Sequence, residues 1–82
     1  MNDADIRAAV LASLKSIAPE VEESELRPGR PLRNQVDLDS MDWLNFLLGL
    51  HEKLQVEIPE SDYGRLITLE DLVGYFVARL RS

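Results

Sequence analysis

The apolar positions of this chain fall into three runs with helical spacing, separated by two stretches that lack it. In the first run Ile6, Val10, Leu14 and Ile17 recur at the steps that keep one face of a helix turned inward, and Ala9 and Leu11 widen that stripe. Asn2 is placed to cap a helix over Asp3–Ile17, Asp5 falls in its first turn, and Pro19 stops it. The second run, Ser40–Leu54, is the most apolar in the chain. At about 100° per residue, Phe46, Leu50, Trp43, Leu54, Leu47, Leu44, Leu48 and Met41 sweep an arc of roughly 220°. Asp42, Asn45, Gly49, Glu52 and Lys53 fill the remaining strip. A helix packed on one core needs a stripe little wider than ~100°. Met41, Leu44 and Leu48, at the edge of the arc, are therefore expected to stay exposed unless a loop covers them. The third run begins at Thr68, which makes a capping box with Asp71. Leu69, Leu72, Val73, Phe76, Val77 and Leu80 form its stripe, and Arg79 and Arg81 suit its C-terminal end.

Residues 18–39 connect the first two runs. Pro19, Pro28 and Pro31 oppose a continuous helix, and Pro28-Gly29 is a turn signal. A connection this long needs internal packing or a function of its own. Val21, Leu26, Leu32 and Val36 are its expected anchors on the core. Val56-Glu57-Ile58-Pro59 reads as an extended linker, and Glu60–Leu66 as one short helical turn weakened by Gly64, with Tyr63 and Leu66 facing inward. The pattern predicts an all-α fold, a small bundle of three longer helices plus one short helix with a long first loop.

Composition acts mainly by exclusion. Eighty-two residues allow one domain, 1–82, around one small core, and a 45% apolar content places the chain among globular proteins. Fifteen acidic against nine basic residues leave a net charge of −6, which argues against a nucleic-acid ligand. The acidic run Glu20, Glu22, Glu23, Glu25 and the following Arg27, Arg30 and Arg33 read as solvated loop surface. There is no cysteine, so any thiol chemistry must come from an attached group. Asp42 and Asn45 interrupt the longest apolar stretch well short of a membrane span. Asn2, Asp3 and Asp5 stand where a signal peptide would be basic. A cytoplasmic, monomeric domain is expected.

The candidate chemistry gathers where the loop meets the second helix. Asp39 is a good N-cap, and Asp42 sits where a capping-box acid would reach back. This register makes Ser40 the first helical residue. Asp39 does the capping, which leaves the Ser40 hydroxyl free at the positive end of the helix dipole, where an attached phosphate would be stabilised. A catalytic role for Ser40 is excluded by distance. The single histidine, His51, lies about 16 Å along the same helix. His51 and Glu52 have no second histidine to complete a metal site. No catalytic residue and no metal ligand set is expected.

Asp39-Ser40-Met41 resembles the Asp-Ser-Leu attachment motif of acyl carrier proteins. The order typical of that family continues through Leu54, Glu57-Ile58-Pro59-Glu60, Thr68-Leu69-Glu70-Asp71 and Tyr75-Phe76, so the resemblance spans roughly residues 32 to 80. It implies the family's helical fold and a carrier rather than an enzyme. By the same resemblance Ser40 would be esterified with 4'-phosphopantetheine, making the chain a phosphoprotein whose arm holds acyl groups as thioesters. The implied partners are a phosphopantetheinyl transferase and the enzymes that load and modify the acyl group. They would dock on Met41, Asp42, Leu44, Leu48 and Glu52, with Asp39 and Asp42 framing the attachment site. Trp43 would stand near the entrance of an interior acyl cavity and narrow it.

The chain also departs from the family pattern. Asp37 replaces a glycine usual in carriers of fatty-acid synthesis, Gln35 stands where an acid is common, and Asn45, His51 and Lys53 occupy frequent glutamate positions. Such acids normally meet basic patches on partner enzymes. A stand-alone carrier for a specialised lipid or polyketide pathway is therefore expected. The alternatives are an aminoacyl or peptidyl carrier, and a helical adaptor that binds a partner protein through the apolar arc without a covalent group.

Overall fold

Each of the three stripes becomes a helix whose limits its caps dictate. The computed structural model describes residues 2–81, Arg81 through its backbone alone. Helix α1 covers Asp3–Ile17, a short α2 Leu32–Gln35, α3 Ser40–Leu54 and α4 Leu69–Arg81. At the start of α1, Asp5 N–H donates to Asn2 Oδ1 at 2.8 Å and Asn2 N–H donates to the Asp5 carboxylate at 3.3 Å, closing a capping box. Thr68 and Asp71 close another before α4. Asp71 N–H donates to Thr68 Oγ1 at 2.9 Å, and the Asp71 carboxylate accepts from the N–H groups of Thr68 and Ile67 at 3.0 and 3.2 Å. The Thr68 N–H is the chief cause that holds the Asp71 carboxyl below the usual carboxylate range, against a smaller opposing effect of burial.

Helix α1 packs along both α3 and α4. The centre is made by Ile6, Val10 and Leu14 of α1, Phe46, Leu47 and Leu50 of α3, and Leu69, Leu72 and Phe76 of α4, all within 1% of full burial. Ile17, Val73 and Val77 are only half-buried at the margin. Leu80 corrects the expected stripe. It remains 37% exposed. Tyr75, absent from that stripe, is buried on the flank of α4.

The long first connection is ordered by its own packing, which answers why so long a loop is tolerated here. It contains a 3₁₀ turn at Glu23–Glu25 and the helix α2, neither of which the sequence pattern announced. Leu32 is fully buried, Val21 and Val36 are buried, Leu26 is half-buried, and Leu38 adds an unexpected anchor. The Leu32 N–H donates to the Ile67 carbonyl at 2.9 Å and the Glu70 N–H to the Pro28 carbonyl at 3.2 Å, so the loop is pinned to the entry of α4. Gln35 ties the loop together from within. Its Oε1 accepts from the Arg27 N–H at 2.6 Å, and its Nε2 donates to the Arg27 and Arg30 carbonyls at 2.9 and 3.1 Å. The amide does both, which a carboxylate could not. The radius of gyration, 11.7 Å, matches the ~12 Å of a folded chain of this length, as a docked rather than a dangling loop requires.

Helix α3 ends at Gln55, whose left-handed backbone (φ 55°) carries the chain out of the helix. His51, on the flank of α3, braces this exit with Nδ1 2.8 Å from the Val56 carbonyl oxygen. The expected short helical turn is a 3₁₀ segment, Glu60–Arg65, with Leu66 buried just after it and Tyr63 half-buried. Tyr75 fastens this segment to α4. Its hydroxyl donates to Asp62 Oδ2 at 2.7 Å, and Arg79 reaches the same oxygen at 3.1 Å with its guanidinium 3.8 Å over the Tyr75 ring. Burial first, and the bond to Asp62 second, raise the Tyr75 hydroxyl above the usual tyrosine range. No helix is long and apolar enough to cross a membrane among the described residues.

Candidate functional site

The site is built where the docked loop feeds α3. Leu38, buried, fixes the approach, and Asp39 follows in extended conformation as the N-cap. The Asp42 N–H donates to Asp39 Oδ1 at 2.8 Å, and the Trp43 N–H makes the first helical bond to the Asp39 carbonyl at 3.0 Å. Only half of the expected capping box forms, since the Asp42 carboxylate makes no return bond to Asp39.

Ser40 is therefore the first residue of α3, exposed, with a hydroxyl that no part of the described fold uses. The N–H groups of Ser40 and Met41 are likewise without a partner among the described residues, as expected for a helix start. These features suit an attached phosphate diester. Its ester oxygen would come from a free, solvent-facing hydroxyl, and its negative charge would sit at the positive end of a helix of 15 residues.

Helix α3 resolves the question posed by its wide apolar arc. Phe46, Leu50, Trp43, Leu54 and Leu47 span about 100° and are all buried. Met41, Leu44 and Leu48, at the other edge, are 68%, 41% and 54% exposed, and the first loop does not cover them. They succeed one another at helical steps, and Glu52, also exposed, continues the same stripe one turn beyond Leu48. An apolar strip thus begins at the first turn beside Ser40 and ends in an acid. Asp42 is half-buried on the flank. All the residues singled out in the sequence, Asp39, Ser40, Met41, Asp42, Leu44, Leu48 and Glu52, lie on this one helix or its cap, and all but the half-buried Asp42 are exposed.

Trp43 is in the core, 8% exposed, with its ring 5.4 Å from that of Phe46. The sequence reading missed its second neighbour. The Arg33 guanidinium lies 5.8 Å from the Trp43 ring centroid and donates to the Leu38 carbonyl at 3.5 Å. Nothing in the sequence spacing signals this pair, which joins a residue of α2 to one of α3. The described residues contain no cluster of three or more potential metal ligands.

Residues 8–76 match a family model described as a phosphopantetheine attachment site. The chain is 31% identical over 71 residues to an acyl carrier protein of Campylobacter jejuni, covering 87% of this chain and 86% of that protein. It is 30% identical over 74 residues to an acyl carrier protein of Rubrobacter xylanophilus, with 87% and 91% of the two chains covered. An acyl carrier protein of Helicobacter hepaticus is 29% identical over 69 residues, or 80% of this chain and 91% of that one.

Proposed function

Because the chain belongs to the acyl carrier protein family, whose members bear a phosphopantetheine group and are carriers rather than enzymes, we propose that Ser40 is the residue to which this group is attached. One observation carries the assignment. Ser40 is an exposed first helical residue whose hydroxyl has no structural duty, because Asp39 takes the cap. When bound, the group supplies a terminal thiol on a flexible arm, where an acyl chain is held as a thioester.

The protein's own residues present the serine, place a helix dipole behind its phosphate and offer a docking face. Met41, Leu44 and Leu48 supply apolar area to a partner. Asp39, Asp42 and Glu52 supply negative charge that steers basic partner surfaces and sets orientation. The partners of this face are a phosphopantetheinyl transferase and the acyl-loading and acyl-modifying enzymes. Tethering raises the effective concentration of cargo at each of them. Asn45, His51 and Lys53 remove acidity from the flanks of the docking face, which favours a dedicated lipid or polyketide pathway over general fatty-acid synthesis. Trp43 limits the depth to which a cargo chain enters between the helices. An acylated form with the chain buried beside an unmoved Trp43 would overturn that point. The chain acts as a monomeric, cytoplasmic domain.

Intact-protein mass after incubation with coenzyme A, magnesium and a broad-specificity phosphopantetheinyl transferase tests the assignment. A gain of one phosphopantetheine in the wild type and none in Ser40→Ala is expected. No gain in a folded wild-type protein with two unrelated transferases would favour a non-covalent adaptor, and a gain in Ser40→Ala would move the attachment elsewhere.

A further inference from the structure

The attachment site is flanked by acids, and the fold brings one base to it. Between Arg33 and Lys53 the sequence has no arginine or lysine, while Asp37, Asp39 and Asp42 bracket Ser40. A phosphodiester on Ser40 would thus enter a stretch of like charge, against which the helix dipole alone must act. Arg33 changes that balance. Its guanidinium touches the Leu38 carbonyl, two residues before Ser40, and lies over the Trp43 ring, three residues after it. Side chains of a helix lean toward its N-terminus, so Trp43 carries the guanidinium back to the turn that holds Ser40.

Three further features fit Arg33 to an anion. The ion pairs among the described residues both involve Asp62, so no carboxylate neutralises Arg33. Its bond to Leu38 is long, at 3.5 Å, and uses one nitrogen, leaving most of the guanidinium donors available. Its backbone is held firmly, because the neighbouring Leu32 is fully buried and bonded to the Ile67 carbonyl. A planar fork on a fixed backbone is the arrangement that recognises phosphate oxygens.

We propose that Arg33 is the counter-charge of the phosphodiester on Ser40, a positioning residue that holds the root of the arm against the start of α3. The inference rests on the assignment of Ser40 as the attachment residue. With the phosphate held, the arm leaves the protein in a restricted direction, beside the exposed strip of Met41, Leu44 and Leu48 on which partners dock.

The test compares apo and loaded protein by NMR in the wild type, Arg33→Gln and Arg33→Lys, with mass measurement reporting the loading of each. The wild type is expected to show a shift of the Arg33 Nε–H and Trp43 indole signals on loading. The phosphorus signal of the diester should move toward that of free phosphopantetheine in Arg33→Gln and lie between the two in Arg33→Lys, which keeps the charge without the fork. Loaded wild-type protein with unmoved Arg33 and Trp43 signals, or with the same phosphorus signal as Arg33→Gln, would overturn the role of Arg33 and leave the attachment intact. Failure of the folded wild type to load would overturn the attachment at Ser40, and the role of Arg33 with it. Arg33 is exposed, so Arg33→Gln should keep the dispersed apo spectrum of a folded protein.

Discussion

Adjacent residues at the start of α3 are assigned opposite duties, and paired substitutions separate them. In Asp39→Ala the bond from the Asp42 N–H, 2.8 Å long, has no acceptor. Loss of an N-cap of this kind costs ~1 kcal/mol, within a range of about 0.5–2. The carboxylate also lies at the positive end of α3, which adds ~0.3–1 kcal/mol at low salt. The total, about 1–2 kcal/mol, should lower the melting temperature by ~4–8 °C for each kcal/mol in a domain of this size. Asp39→Asn keeps a capping oxygen and should lose only the charge contribution. Ser40→Ala removes an exposed hydroxyl that bonds to nothing described, and alanine is the better helix former, so stability should stay within ~0.5 kcal/mol of wild type or rise slightly. Thermal and urea unfolding followed by far-ultraviolet circular dichroism measures all three, with an unchanged urea slope confirming that the same unfolding is compared. Two results would refute the reasoning. A loss of ~1 kcal/mol or more in Ser40→Ala would mean that the fold uses the hydroxyl. A loss below ~0.3 kcal/mol in Asp39→Ala would mean that Asp39 is not the cap.

Gln35→Glu has nearly the same shape but sets a carboxylate oxygen against the Arg27 and Arg30 carbonyls. With two bonds lost at ~0.5–1.5 kcal/mol each, melting should fall by several degrees, and an unchanged melting temperature would remove Gln35 from its place in the loop. The lowered Asp71 carboxyl contributes stability that is fully present above the unfolded value of ~3.9 and is lost as pH falls through the folded value. The melting difference between wild type and Asp71→Asn should accordingly shrink on acidification below about pH 4, and a constant difference would count against the capping box. The double variant Leu44→Ser/Leu48→Ser should keep its melting temperature within a few degrees, since both residues are exposed, yet lose kcat/KM with the transferase. Equal loading kinetics would show that the transferase docks elsewhere.

The residues whose partners lie within one helical turn are legible in the sequence alone. The limits of α1 and α3, the caps at Asn2, Asp39 and Thr68, and the free first-turn position of Ser40 all follow from side chains three or four residues apart. The motif order carried the family as well. Tertiary structure decided the rest. Periodicity showed that the apolar arc of α3 is too wide for one core, but packing on α1 selected its buried part and left Met41, Leu44 and Leu48 open. The 22-residue connection became an ordered segment through bonds with no local signature, from Gln35 across eight positions to Arg27 and from Leu32 to Ile67. Tyr75, outside the expected stripe, is buried with its hydroxyl satisfied by Asp62, thirteen residues earlier. Arg33 of α2 likewise meets Trp43 of α3, a pairing with no local signature. Helical period and capping are properties of a few neighbouring residues, whereas loop docking and cross-element polar pairs depend on which distant backbones a shared core brings together.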